Sequence, residues 1–201
     1  MRRGPTLAIL LSLALAGTAS ARTITHQSGT PETAAPQTAP AEPATSPTAD
    51  AAELVRLFAH TCLIYPGRTA ALRTMLDSHH IPALSDKAAA LFLPGGKGKG
   101  YDTSTAGNRM ALLSEDGDIC TVLGERADSK AVVSLIESGL KSLHSNAHFV
   151  GEDNDPATSD LHHRHYDLTT KSGKPYELIV STSAAPNHIQ AIITIGPKPK
   201  G

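Results

Sequence analysis

The stretch LHHRHYDLTT, residues 161–170, gathers His162, His163, His165 and Asp167 into one short segment. Imidazole and carboxylate so close together can ligate a transition metal, relay protons, or simply cover a wet sheet face with polar groups. Which of these is open depends on how the segment pairs with the next apolar run, Tyr176 to Ser183. A two-residue Ser172-Gly173 loop would set Tyr166 opposite Ile179. A three-residue loop of Lys171, Ser172 and Gly173, with Gly173 left-handed, sets Leu168 opposite Tyr176 and Tyr166 opposite Leu178. The second register separates apolar from polar residues better, and it puts His163, His165, Asp167 and Glu177 together on one face. His163 and His165 would then stand about 6.5 to 7 Å apart along the strand, close enough for joint metal ligation. Asp167 and Glu177 would oppose each other, a like-charge pair that calls for a cation or a protonated histidine nearby. The expectation drawn is a solvated polar face whose imidazoles partly neutralise the carboxylates, with no cofactor. A zinc or copper site on His163, His165, Asp167 and Glu177 is the alternative.

Other motifs carry less. Cys62 and Cys120 are the two cysteines, both on core-facing stripes, and they are expected to form a structural disulfide. The glycine-rich GGKGKG, residues 95–100, lacks the Gly-Lys-Ser/Thr ending of a phosphate loop and is expected to be loop only. Asp153, Asn154 and Asp155 suggest calcium without the glycine and twelfth-position glutamate of an EF-hand. Gly-x-Ser-x-Gly, His-Glu-x-x-His and Cys-x-x-Cys are absent from the sequence, so a hydrolase would need a histidine site assembled by the fold alone. His79 falls on a helical stripe and is expected to be partly buried, and His188 sits in the last turn.

These side chains need elements to position them. Asp50 and Glu53 resemble a capping box ahead of a helical stripe of Leu54, Leu57, Phe58, Thr61 and Cys62. Leu72, Met75, Leu76 and His79 predict a second helix, and Asp86 to Phe92 a short third. Met110 to Ser114 and Ile119 to Leu123 flank an Asp-Gly pair and predict a hairpin. Val132, Leu135, Ile136, Gly139, Leu140 and Leu143 line a long central helix capped by Asp128 or Ser129. A polar loop follows over 151–160, then strands near Leu161–Thr170, Tyr176–Ser183 and Ile189–Ile195. The fold class is α+β, with a mostly antiparallel sheet of about five strands, a hairpin plus a C-terminal three-strand meander, packed with N-terminal helices and the central helix.

The N-terminus reads as an export signal. Arg2 and Arg3 precede an apolar run from Leu7 to Ala16 and an Ala19-x-Ala21 cleavage site, so residues 1–21 are expected to be a signal peptide. Residues 22–49, rich in Thr, Pro and Ala, are expected to form a disordered linker, and 50–201 a single domain. No later run approaches the roughly 20 apolar residues of a membrane span. A net charge of −1, 3% aromatic residues and no Trp argue against nucleic acid as a partner. The expected location is periplasmic or secreted.

F-A-H-T-C at 58–62, Y-P-G at 65–67 and the strand around Cys120 together resemble a group of small exported bacterial proteins of unknown function. The resemblance implies export and lends no catalytic residue. The expected function is a non-enzymatic binding or envelope-accessory domain with an envelope protein or cell-wall partner. A zinc or copper protein and a hydrolase are the alternatives.

Overall fold

The computed structural model describes residues 46–93, 97–142, 146–154, 160–170, 172–185 and 189–199. The expected signal peptide, the linker as far as residue 45, and Leu143, Lys171 and His188 lie outside them. Four helices and seven strands form one layered unit: α1 (Pro47–His60), α2 (Thr69–Ser78), α3 (Asp86–Phe92), β1 (Gly98–Asp102), β2 (Met110–Glu115), β3 (Cys120–Gly124), α4 (Ser129–Ser142), β4 (Asn146–Asn154), β5 (Leu161–Thr169), β6 (Pro175–Ser183) and β7 (Ala191–Pro197). The α+β class holds, with seven strands in place of about five.

All pairings are antiparallel, in the order β1-β2-β3-β7-β6-β5-β4. Two meanders, β1–β3 and β4–β7, meet where β3 pairs with β7, and α4 carries the chain between them. On one face, Leu54 and Phe58 of α1, Leu72 and Leu76 of α2, and Val132, Ile136 and Leu140 of α4 close over Leu112, Val122, Leu178, Val180 and Ile193. On the other face a smaller core of Leu93, Ala111, Leu113 and Leu123, with Leu84, Ala89 and Phe92 packed on it, covers only the β1–β3 end. Strands β4 to β6 therefore present an uncovered second face among the described residues.

Several boundaries move for physical reasons. Helix α1 starts inside the expected linker: Ser46 is its N-cap, accepting from the Ala49 amide at 3.2 Å, and Pro47 takes the first helical position. Asp50 is thus no cap; it lies buried in the first turn against Arg126. Helix α3 begins behind Ser85, which accepts from the Ala88 amide. Asp128 caps α4 through the Ala131 amide at 2.7 Å. Leu135 proves 37% exposed, and His79 is exposed at the end of α2.

Part of the glycine-rich run, expected to be loop, is the edge strand β1. A Cβ on Gly98 would meet the Ser114 carbonyl oxygen at 2.8 Å, so glycine is required there, and one on Gly100 would press on Leu84 Cδ1 at 2.9 Å. That closeness lets the 82–84 segment seal the edge, with Leu84 N–H on Gly100 O at 2.9 Å and Asp102 N–H on Pro82 O at 2.8 Å. Four of the ten residues of the expected 151–160 loop are likewise strand, Gly151–Asn154 of β4.

The Cys62–Cys120 disulfide is present, with a Cα–Cα distance of 5.4 Å. It pins the turn after α1 to the start of β3. Beside it Thr69 donates to Asp118 Oδ1 at 2.7 Å, and Arg73 reaches Ser114 Oγ and Asp116 Oδ1.

Burial pushes three of the four tyrosines, Tyr101, Tyr166 and Tyr176, above the ordinary phenol range. A raised folded-state value means the unfolded chain loses these protons first, so stability is full below about pH 10 and falls as pH rises past it. A phenolate absorbance titration should show these three ionising late and together with unfolding. Three early, reversible ionisations in folded protein would contradict this.

Candidate functional site

The β5–β6 register is the three-residue-loop one: Leu168 opposes Tyr176, Tyr166 opposes Leu178 and Asp167 opposes Glu177. Gly173 is left-handed at φ 78°. His163, His165, Asp167 and Glu177 therefore share the uncovered face, as the alternation of β5 requires.

Their partners divide them. Asp167 is bound by Lys198 from the end of β7, whereas Glu177 Oε1 lies 3.1 Å from His165 Nδ1. Asp167 thus pairs with a lysine and Glu177 with a ring nitrogen of His165, which relieves the like-charge contact. His163 Nδ1 is 2.7 Å from Ser181 Oγ, and Ser181 is itself buried.

Asp153, which the sequence reading set in an acidic loop and not beside the histidines, belongs to β4, directly opposite His163 in register, and its Oδ2 is 3.6 Å from His165 Nε2. That nitrogen is buried and has no hydrogen-bond partner. The two imidazole rings stand 6.4 Å apart between centroids. As the side chains stand, no three His, Cys, Asp or Glu groups among the described residues converge on one point. His148 shares this face opposite Asp167, and His60 is exposed at the end of α1.

The helix-side face of the same two strands forms a second surface. Helix α4 lies against α1 and β6, so β5 and β4 project beyond it. Two adjoining grooves of about 690 and 350 Å³ run along α4, from Ser129 to Lys141, and meet at Glu137 and Arg164. Arg164 is the hub. It donates to Glu137 Oε1 at 3.0 Å and Glu152 Oε2 at 2.9 Å, and its Nε reaches the Tyr166 hydroxyl at 3.2 Å. The Tyr166 hydroxyl donates to Glu137 Oε1 at 3.0 Å. The guanidinium sits 4.7 Å from the Phe149 ring centroid, and Phe149 packs edge-on to Tyr166. The Tyr166 hydrogen bond, first among the causes, holds the Arg164 guanidinium above its ordinary value. Phe149 remains 52% exposed and Val150 60%.

No protein-family model matches the chain, and no curated protein or solved structure matches it.

Proposed function

We propose that the chain is an exported, non-enzymatic binding or envelope-accessory domain whose α4 groove holds a polypeptide segment of another envelope protein, in the periplasm or outside the cell. The groove along α4, floored by the half-exposed Phe149, is the observation that carries this reading. Its length matches a 14-residue helix, roughly 20 Å at helical rise. Its lining mixes Lys130, Lys141 and Arg164 with Glu137 and Glu152, which suits a peptide of mixed charge better than a polyanion. Pairing on the β4 edge is the less favourable mode. A bulge at Val150 and the acidic Glu152 and Asp153 blunt that edge, as edge strands commonly require. The disulfide and the signal-like N-terminus support export.

A photo-crosslinking residue at Ser134, inside the groove, should give a discrete adduct in the exporting cell. The additional change Phe149→Glu should abolish it, and the same crosslinker at Leu91, 76% exposed on α3, should give none. Equal adducts from both positions would sink the proposal.

A further inference from the structure

We infer that His163, His165 and Asp153 form a binding site for a zinc-class divalent ion on the uncovered face of the sheet. Asp153 and His163 also border the larger α4 groove, but the assignment does not depend on what occupies that groove. His165 lies between two carboxylates, Glu177 and Asp153. Its Nδ1 lies 3.1 Å from Glu177 Oε1, so Nδ1 donates there, and in the neutral ring Nε2 carries a lone pair. That buried lone pair faces the Asp153 carboxylate at 3.6 Å. Two electron-rich atoms oppose each other there, and something positive belongs between them.

A proton fits poorly, because N–H···O hydrogen bonds run about 2.7–3.2 Å. A tetrahedral ion bound at about 2.0–2.1 Å sets its ligand atoms about 3.4 Å apart, close to the spacing seen. The surrounding contacts are those of a metal ligand's supporting shell. A ligating histidine usually donates its other ring nitrogen to a carboxylate or a comparable acceptor, which fixes the tautomer. Glu177 does this for His165. Ser181 Oγ, 2.7 Å from His163 Nδ1, can accept in the same way, and in that tautomer His163 Nε2 is left for a ligand. The third ligand comes from pairing, since Asp153 and His163 are register partners on β4 and β5. The 6.4 Å between ring centroids exceeds that of two imidazoles on one tetrahedral ion by about 1 Å, so the proposal requires His163 to move toward His165 when the ion binds. Nitrogen and carboxylate donors in this ratio suit zinc or copper(II) better than calcium or magnesium. Three protein ligands leave the fourth position to water or to a donor from a bound partner.

This ligand set differs from the one expected from sequence. Glu177 becomes a positioning residue, and Asp167, held by Lys198, drops out. The difference gives the test. Calorimetric titration of the tag-free full chain with Zn²⁺ should show one site. Asp153→Asn should weaken it at least about tenfold, as loss of a ligand does, and Asp167→Asn should leave it unchanged. Asp153 is 66% exposed, so Asp153→Asn is expected to fold, which an unchanged melting temperature in the absence of metal confirms. Glu177→Gln should weaken binding about tenfold while Co²⁺ still gives the visible absorption of a tetrahedral site. An absence of Zn²⁺ binding, or binding reduced equally by Asp167→Asn and Asp153→Asn, would overturn the assignment.

Discussion

Reduction of the Cys62–Cys120 bridge is expected to lower the unfolding free energy by about 4 kcal/mol, the chain-entropy value for a loop closed across 58 residues. For a domain of this size that corresponds to a drop of roughly 10 °C in melting temperature. Most of the effect acts on the unfolded chain, which regains the freedom the bridge removes. The folded state should change little, because the same seam is held by Thr69 on Asp118 and by Arg73 on Ser114 and Asp116. Scanning calorimetry with and without reductant, and on the Cys62→Ala/Cys120→Ala chain, measures the loss. A shift below about 2 °C in both would show that the bridge does not constrain the unfolded ensemble.

The elements legible from sequence are those whose pattern and packing agree. Val132, Ile136 and Leu140 repeat at helical spacing and do face the core, so α4 was readable. The β5–β6 register could be chosen because Gly173 fixes the turn and a one-residue slip would have turned Tyr166 and Leu168 outward. Strand β4 gave no such signal. It is an exposed edge, and its bulge at Val150 breaks the two-residue alternation between Phe149 and Glu152. Without that strand, Asp153 could be read only as part of an acidic loop and not beside His163 and His165. Strand β1 failed differently. Its Gly98 and Gly100 oppose strand propensity, and tertiary contact with 82–84 overrides it. Asp50 was misread because a capping pattern says nothing about a partner 76 residues away.

That partner sets the second large effect, since Arg126→Met should cost about 3 kcal/mol. Asp50 is 3% exposed, and Arg126 donates to its Oδ2 through Nε at 3.0 Å and Nη2 at 2.6 Å. Removing the guanidinium takes from a buried carboxylate a charged donor that offsets its lost hydration, and that loss dominates the cost. Backbone disruption should contribute little: Asn108 holds Arg126 through its own Nδ2 on the carbonyl at 2.8 Å and its Oδ1 on the amide at 2.9 Å, whatever the side chain. The sign of the coupling follows. Adding Asp50→Ala to Arg126→Met removes the carboxylate as well, so the double variant should be more stable than Arg126→Met alone. Chemical denaturation of the two single variants and the double variant completes the cycle. A double variant that loses the sum of the two single losses would mean that Asp50 and Arg126 act independently, and that the pair contributes no coupling across the α1–β3 junction.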